Sequence, residues 1–279
     1  MELIAASRIV KAQQRVAESQ PYADEITRVV SAMASTAGIS SALTTERENP
    51  TRAAVLVITS DRGLAGAYNS SALKTAEELI ARLKVEGKTT DLYVIGRKAV
   101  SYFTFRGRPP VASFTGFSEQ PTYAAGKEAA DALIRAFLAD PDGPDAQRRV
   151  DEIHLVYTHF VSVLTQRPQA VRVVPLVIEK STQERPESLP SFEFEPGPDA
   201  VLEPLLPRYV ESRIYAALLQ SAASESASRR RAMKAATDNA SELIKALTRE
   251  MNSARQAEIT QEISEIVGGA DALAADAEV

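Results

Sequence analysis

Cysteine is absent from the 279 residues, which excludes disulfides, thiol nucleophiles and thiolate metal sites. The formal net charge is −5, a balance that argues against a dedicated nucleic-acid binder. No stretch resembles the apolar run of about 20 residues that a spanning helix needs, so no membrane anchor is expected. The opening MELIAASRIVKAQ lacks the apolar core and small-residue cleavage site of a secretory signal. A cytoplasmic compartment fits these absences. The most informative absence is local. Residues 208–267 contain neither glycine nor proline, and a continuous helix over that stretch would be a rod of roughly 90 Å. Average helices run about 11 to 12 residues, so an uninterrupted pattern of this length points to a coiled coil, a membrane span or a repeat. The charges in SESASRRRAMK and LIKALTREMN exclude the span. A coiled coil is the expectation, and no internal repeat is visible.

What the long stretch does contain is a seam of changing width. Ile214 and Leu218 lie four apart; Leu243, Leu247 and Met251 follow at steps of four; Ile259, Ile263 and Ile266 close the run. These spacings place each set on one helical face. Between Leu219 and Leu243 the apolar positions are nearly all alanine, among them Ala222, Ala223, Ala227, Ala232, Ala236 and Ala240. Alanine is the best helix former and permits close approach of a neighbour while contributing little burial. The expected product is a stiff, slim helix with weak self-association.

At the other end, Ile9, Ala12 and Val16 mark a first helix, and Ile26, Val29, Val30 and Met33 continue its period past Pro21 to Gly38. Two long helices therefore flank the rest, and antiparallel pairing of the first with the last is the economical arrangement. The insert reads differently. Residues 53–59, 91–95, 153–160 and 171–178 read as strands; residues 73–83, 96–105 and 123–138 carry helical spacing. Strands alternating with helices imply a mainly parallel sheet covered by helices. With 44% hydrophobic and 25% charged residues, the chain has enough apolar material for one such domain plus an extended part. A proline- and glutamate-rich connector at 181–207 leads back to the long helix.

Few residues offer chemistry. The loop SDRGLAGAYNSS (60–71) has glycines for tight turning and leads into a helix N-terminus, but it matches neither GxGxxG nor GxxxxGK[ST]. A structural turn or contact surface is the plainer reading. His154 and His159 are five apart and so occupy opposite faces of one strand, which disfavours a metal pair. Asp151 and Glu152 read as solvated residues at the start of that strand. Arg229, Arg230 and Arg231 point in three directions from one helix; they read as a solvated surface or as a basic collar facing an acidic partner. Arg255, Gln256, Thr260 and Glu262 place directional polar groups within two turns. No catalytic constellation emerges.

Four segments together carry a resemblance: MELIAASRIVKAQ (1–13), ITSDRGLAGAYN (58–69), MKAATDNA (233–240) and ARQAEITQEISEIVGGA (254–270). In that order, and spanning nearly the whole chain, they resemble the gamma subunit of the bacterial F-type ATP synthase. The resemblance implies an α/β fold class: a long antiparallel coiled coil of N- and C-terminal helices (1–48 and 208–279) plus an inserted Rossmann-like domain (49–180) and the connector (181–207). It implies a non-catalytic central-stalk rotor that couples proton flow to ATP synthesis. Three alpha and three beta subunits, the epsilon subunit and the membrane c-ring would be its partners, with no nucleic acid among them. It would need no cofactor of its own, because nucleotides bind on the hexamer. The place implied is the cytoplasmic face of the plasma membrane, peripherally bound.

The resemblance also assigns residues. Met1 matches a methionine near the acidic lever loop of beta, and Arg229 matches the basic position on the opposite helix at that level. Arg255 and Gln256 match the pair that catches a loop of beta, and Thr260 and Glu262 match neighbouring contacts with alpha and beta. One departure is that members of the family usually carry a basic segment of about twenty residues before the position of Met1; a misassigned start, a truncation or a subunit that works with a short N-terminal helix would each account for it. An enzyme built on the α/β insert and a self-associating scaffold coiled coil remain alternatives, separable by nucleotide titration and by light scattering. If Met1 lies level with Arg229, then Leu243, Ile244, Leu247 and Met251 depend on a partner for cover, each forfeiting roughly 1.5 to 3 kcal/mol when left in water. The isolated chain is therefore expected to show fast amide exchange above Arg229. Uniform protection through Met251 would contradict this.

Overall fold

The structure, a computed structural model, describes residues 2–34, 46–140, 142–143, 146–176 and 198–276. Its elements are α1 (Glu2–Ala34), β1 (Arg52–Ile58), α2 (Tyr68–Val85), β2 (Thr89–Ile95), α3 (Arg97–Phe105), β3 (Ala112–Phe114), α4 (Tyr123–Leu138), β4 (Glu152–Phe160), β5 (Gln166–Val174) and α5 (Pro198–Asp276), with a short 3-10 turn at Ala146–Arg148. The chain forms two units, Met1–Ala232 and Met233–Val279.

The first unit is built on a five-stranded sheet in the order β3-β2-β1-β4-β5. β1 pairs in parallel with both β2 and β4. A strand flanked in this way is buried on both faces and needs an unbroken apolar run, which AAVLVI supplies. On one face Ala53, Val55 and Val57 meet Ala76, Leu79 and Leu83 of α2 and Phe103 of α3. On the other, Ala54, Leu56 and Ile58 meet Leu133 and Phe137 of α4, Ile26 and Val30 of α1, and Val210, Ile214 and Leu218 of α5. α1 passes through Pro21 without a break and runs antiparallel to the first part of α5. Ile26 and Val30 share the core with Val210 and Ile214, whereas Lys11 and Arg15 line a cleft with Leu219 and Ala222.

The structure departs from the sequence reading in four places. β5 is antiparallel to β4 and begins at Gln166, because an edge strand needs no apolar run and tolerates Pro168. β3 has only three residues, too few to show a period. α5 begins at Pro198, ten residues before the expected start, and carries Pro204 and Pro207; part of the segment read as a connector is therefore helical, and residues 181–197 lie outside the described residues. Asp151 and Glu152 are not solvated. Asp151 accepts from Thr51 N (2.7 Å), Arg52 N (2.9 Å) and the Arg47 guanidinium (2.5 Å). Glu152 is buried against Lys88 Nζ (2.8 Å) and His154 Nε2 (2.9 Å).

The second unit is helical as far as Asp276. All side chains from Lys234 to Gly269 are exposed, including Leu243, Ile244, Leu247 and Met251.

Gly96 marks where β1 and β2 end together. It has φ +94°, and a Cβ there would lie 2.3 Å from the Thr59 carbonyl oxygen. Gly87, at φ +80°, faces open space. Gly87→Ala should therefore cost about 1 to 2 kcal/mol of backbone strain, and Gly96→Ala clearly more because backbone must also move. Urea denaturation of the two variants checks the ranking.

Candidate functional site

In a doubly wound sheet, ligands bind at the carboxyl ends of the strands where the strand order reverses. Here that place lies between β1 and β4, since β2 extends the sheet from one side of β1 and β4 from the other. It is filled by α5. Thr158 N donates to Ser221 Oγ (3.3 Å), Ser224 Oγ donates to Thr158 O (3.1 Å), and Phe160 N donates to Gln220 Oε1 (3.0 Å). Ala222, Ala223 and Ala227 are buried beside these groups. The alanines read from sequence as a slim shaft are, in this part of the helix, the small surface that lets α5 reach the strand ends.

The SDRGLAGAYN loop closes the same crevice. Ser60 N donates to Asn69 Oδ1 (2.9 Å), tying the two ends of the loop. The Asp61 carboxylate accepts from Gly116 N (2.8 Å), Ser118 N (3.0 Å) and Arg97 N (3.2 Å), and Asp61 N donates to Ser118 Oγ (2.9 Å). This joins the loop to the segment between β3 and α4. Gly66, at φ +56°, faces α5: a Cβ would sit 3.6 Å from Ala232 Cβ and 3.8 Å from Ser228 O. The glycine thus provides left-handed backbone beside a helix. The amides of Ser60, Asp61 and Tyr68 are taken up within the fold, the last by Ala65 O (3.2 Å).

Above the loop lies a cluster of charge. Arg229, with its side chain 9% exposed, donates through Nη2 to Glu225 Oε1 (2.7 Å), and its Nη1 lies 3.2 Å from Glu119 Oε1 without hydrogen-bond alignment. Glu119 Oε2 receives Arg8 Nη1 of α1, and Arg62 Nη1 approaches it to 3.9 Å. Arg231 turns elsewhere, donating to Leu164 O (2.8 Å) and Gln166 Oε1 (2.8 Å) at the β4–β5 hairpin. For Arg229 the solvated-surface reading fails, because it is buried against carboxylates of its own unit; Arg231 stays exposed while it donates to the hairpin. Arg229 is likewise not placed as a surface contact.

The remaining predicted residues fall as follows. Met1 lies outside the described residues. Arg255, Gln256, Thr260 and Glu262 are exposed on α5 in the second unit. Arg255 and Glu262 share one face by their spacing, and Gln256 and Thr260 share the next. Thr260 Oγ1 donates to Gln256 O (2.8 Å) within the helix. His154 is buried and His159 is only partly covered, on opposite faces of β4. Among the described residues no group of three or more His, Asp or Glu side chains is arranged to hold a metal ion.

Comparison with known proteins decides the family. The ATP synthase family matches residues 1–273. The ATP synthase gamma chain of Parafrankia sp. is 62% identical over 279 residues, covering 99% of this chain and 92% of that one. The gamma chain of Streptomyces coelicolor is 56% identical over 277 residues, covering 98% and 90%. The chain belongs to the ATP synthase gamma-chain family. Two solved structures share its fold. A chain from the central stalk and c-ring of the Tetrahymena thermophila mitochondrial ATP synthase superposes with TM-score 0.58 at 21% identity, covering 85% of this gamma chain and 97% of its own length. One from the Euglena gracilis mitochondrial enzyme also gives 0.58, at 16% identity, covering 98% and 97%.

Sequence reasoning missed Glu119, Glu225 and Arg8 as members of this gamma chain's charge cluster. A local signal existed for one pair: Glu225 stands four residues before Arg229, the favourable order for a helical ion pair. None existed for Glu119, which is separated by 110 residues from Arg229. Burial pushes the Glu225 carboxyl above its ordinary value; the Arg229 hydrogen bond opposes the shift and the charge of Glu119 adds to it. His154 moves down, again through burial first, with Glu152 opposing. His154 is therefore neutral near neutral pH, and its Nε2–H donates to Glu152.

The raised Glu225 value has a consequence of definite sign. A carboxyl whose folded value is raised contributes stability below its unfolded value near 4.5, and loses that contribution as pH rises through the folded one. Glu225→Gln keeps the shape without the titration. The variant should therefore gain on the wild type between pH 4.5 and neutral pH. Urea unfolding at those two pH values measures the difference, and a constant gap would refute the assignment.

Proposed function

We propose that this gamma chain is the rotor of the central stalk, turned by the c-ring and turning inside a hexamer of three alpha and three beta subunits. The observation that carries this reading is a division of labour along one helix. α5 is locked into the α/β layer as far as Arg229, and from Lys234 onward it presents an uncovered apolar stripe flanked by polar groups. A helix gripped at one end by a rigid sheet transmits rotation, and an uncovered stripe on the other end is suited to lie in a surrounding bearing. As a gamma chain it is a non-catalytic subunit, and ATP chemistry belongs to the complex.

Arg255, Gln256, Thr260 and Glu262 are the coupling contacts in this proposal. Swinging a catalytic site between 99:1 closed and 99:1 open requires about 5.5 kcal/mol of differential contact. Hydrogen bonds to charged groups contribute about 1.5 to 3 kcal/mol each, so two to four such contacts made in one rotary position and lost in the next are sufficient. Met1 belongs to the same proposal as a contact near the acidic lever of beta. Arg229 enters it with a qualification of geometry: its guanidinium is already held by Glu225 and Glu119, so its contribution to a partner would be through field and position. No helix among the described residues is long and apolar enough to cross a membrane; in this proposal the chain reaches the membrane through its partners. The α/β layer is proposed to rest on the epsilon subunit and the c-ring at the cytoplasmic face.

Co-expression with alpha and beta subunits from the same genome, followed by native mass spectrometry and an ATPase assay, tests the reading. One copy per hexamer, with ATPase dependent on it, is the expected result; failure to assemble in any form would overturn it. Removing residues 254–279 should leave the first unit folded by circular dichroism and lower ATP synthesis by about tenfold or more. Unchanged synthesis would remove the four residues from their role.

A further inference from the structure

The buried charge at the head of the first unit is arranged around one carboxylate. Glu119 lies in the segment between β3 and α4, and its side chain is 15% exposed. Three cations from three different parts of the chain converge on it: Arg8 from α1, Arg62 from the loop after β1, and Arg229 from α5. The backbone of its own segment is fixed by Asp61, which takes the amides of Gly116 and Ser118. Arg229 is shared with Glu225, whose side chain is 1% exposed and whose Oε2 has no hydrogen-bond partner among the described residues.

Glu119 links α1 and α5 directly, through Arg8 and Arg229. Elsewhere on α1, Arg28 pairs with Glu25 within the helix. Lower down, Ile26 and Val30 share the apolar core with α5. Near Arg8, Ile9 and Ala12 are buried on α1, and Leu219 and Ala222 on α5; the alanines contribute little of that burial. Apolar packing runs along the shared length of the two helices, and the charge of Glu119 adds a directional tie at the end that carries Arg8 and Arg229. A charged tie resists sliding and twisting in a way that a smooth alanine face does not, since guanidinium and carboxylate have fixed directions of approach.

We propose that Glu119 is a positioning residue: the tie that fixes α1 and the loop after β1 to α5, and through which the α/β layer turns the helix pair. The second half of this statement rests on the rotor reading; the first stands on the contacts alone. Glu119→Gln keeps the shape and removes the charge that gathers Arg8, Arg62 and Arg229. Glu119→Asp keeps the charge on a shorter arm.

The test uses the full chain in two settings. In membrane vesicles holding the whole ATP synthase, proton pumping is measured per ATP hydrolysed. Glu119→Gln should hydrolyse ATP within about twofold of wild type while pumping per ATP falls by about fivefold or more, and Glu119→Asp should keep most of its pumping. Wild-type pumping per ATP in the Gln variant would overturn the proposal, as would an Asp variant that falls as far as the Gln variant, since charge would then not be what matters. In the isolated chain, amide exchange of residues 5–12 should be about tenfold faster in Glu119→Gln with β1 unchanged. Unaltered exchange there overturns the tie itself. If the wild-type chain fails to support an ATPase at all, the rotor reading falls, and the exchange experiment still decides whether the tie exists.

Discussion

Close approach of a helix backbone to the ends of two strands is the constraint on which this structure depends. Ser221, Ala222, Ala223, Ser224 and Ala227 are all buried, and each is small enough to let α5 lie directly over β4 and the loop after β1. A larger side chain at any of them would push the helix off Thr158 and Gly66. Serine in this row does more than alanine. Ser221 and Ser224 meet the amide and carbonyl of Thr158, groups at a strand end that would otherwise be buried without partners at a cost of about 1 to 3 kcal/mol each.

Close approach brings charge inward with it. The residues that follow the small row on α5 are arginines, and the helix carries Arg229 into a site where a guanidinium must find carboxylates. Glu225 comes from the same helix and Glu119 from a distant loop. Replacing such a pair by apolar groups of similar volume is often harmless, whereas removing one partner strands the other at about 3 to 5 kcal/mol. The cluster therefore says less about how stable the unit is than about which arrangement of α1, loop and α5 is allowed. The pocket that many doubly wound sheets use for a ligand is used here to seat a helix.

Much of the layer was legible because local pattern and burial coincide in it. α4 matches its expected bounds because Ala130, Leu133, Ile134 and Phe137 repeat at helical spacing and Thr122 caps the first turn. β1 was legible because a strand buried on both faces has no polar alternative at any position. β5 was legible only in part: Arg167, Pro168 and Gln169 obey no period when one side of a strand is free. The site was less legible than the fold. Arg229 looked like one of three solvated arginines, since its partners lie in other elements and helical periodicity carries no information about them. The four polar residues near the end of α5 formed an ordinary polar face by spacing alone, and only the resemblance gave them a role.

The edge formed by β5 carries one more consequence. It is a nine-residue strand at the margin of the sheet, and an open margin of that length invites strand addition by a second chain. Pro168 offers no amide to an incoming strand, and Arg167 places an exposed charge along the edge. A shift of register sits between Ile153 and His154 opposite the end of β5, and such irregularities bend a margin away from flat pairing. The sheet is thereby guarded against fibre-like self-association, and the exposed helix is left as the surface through which the chain seeks company.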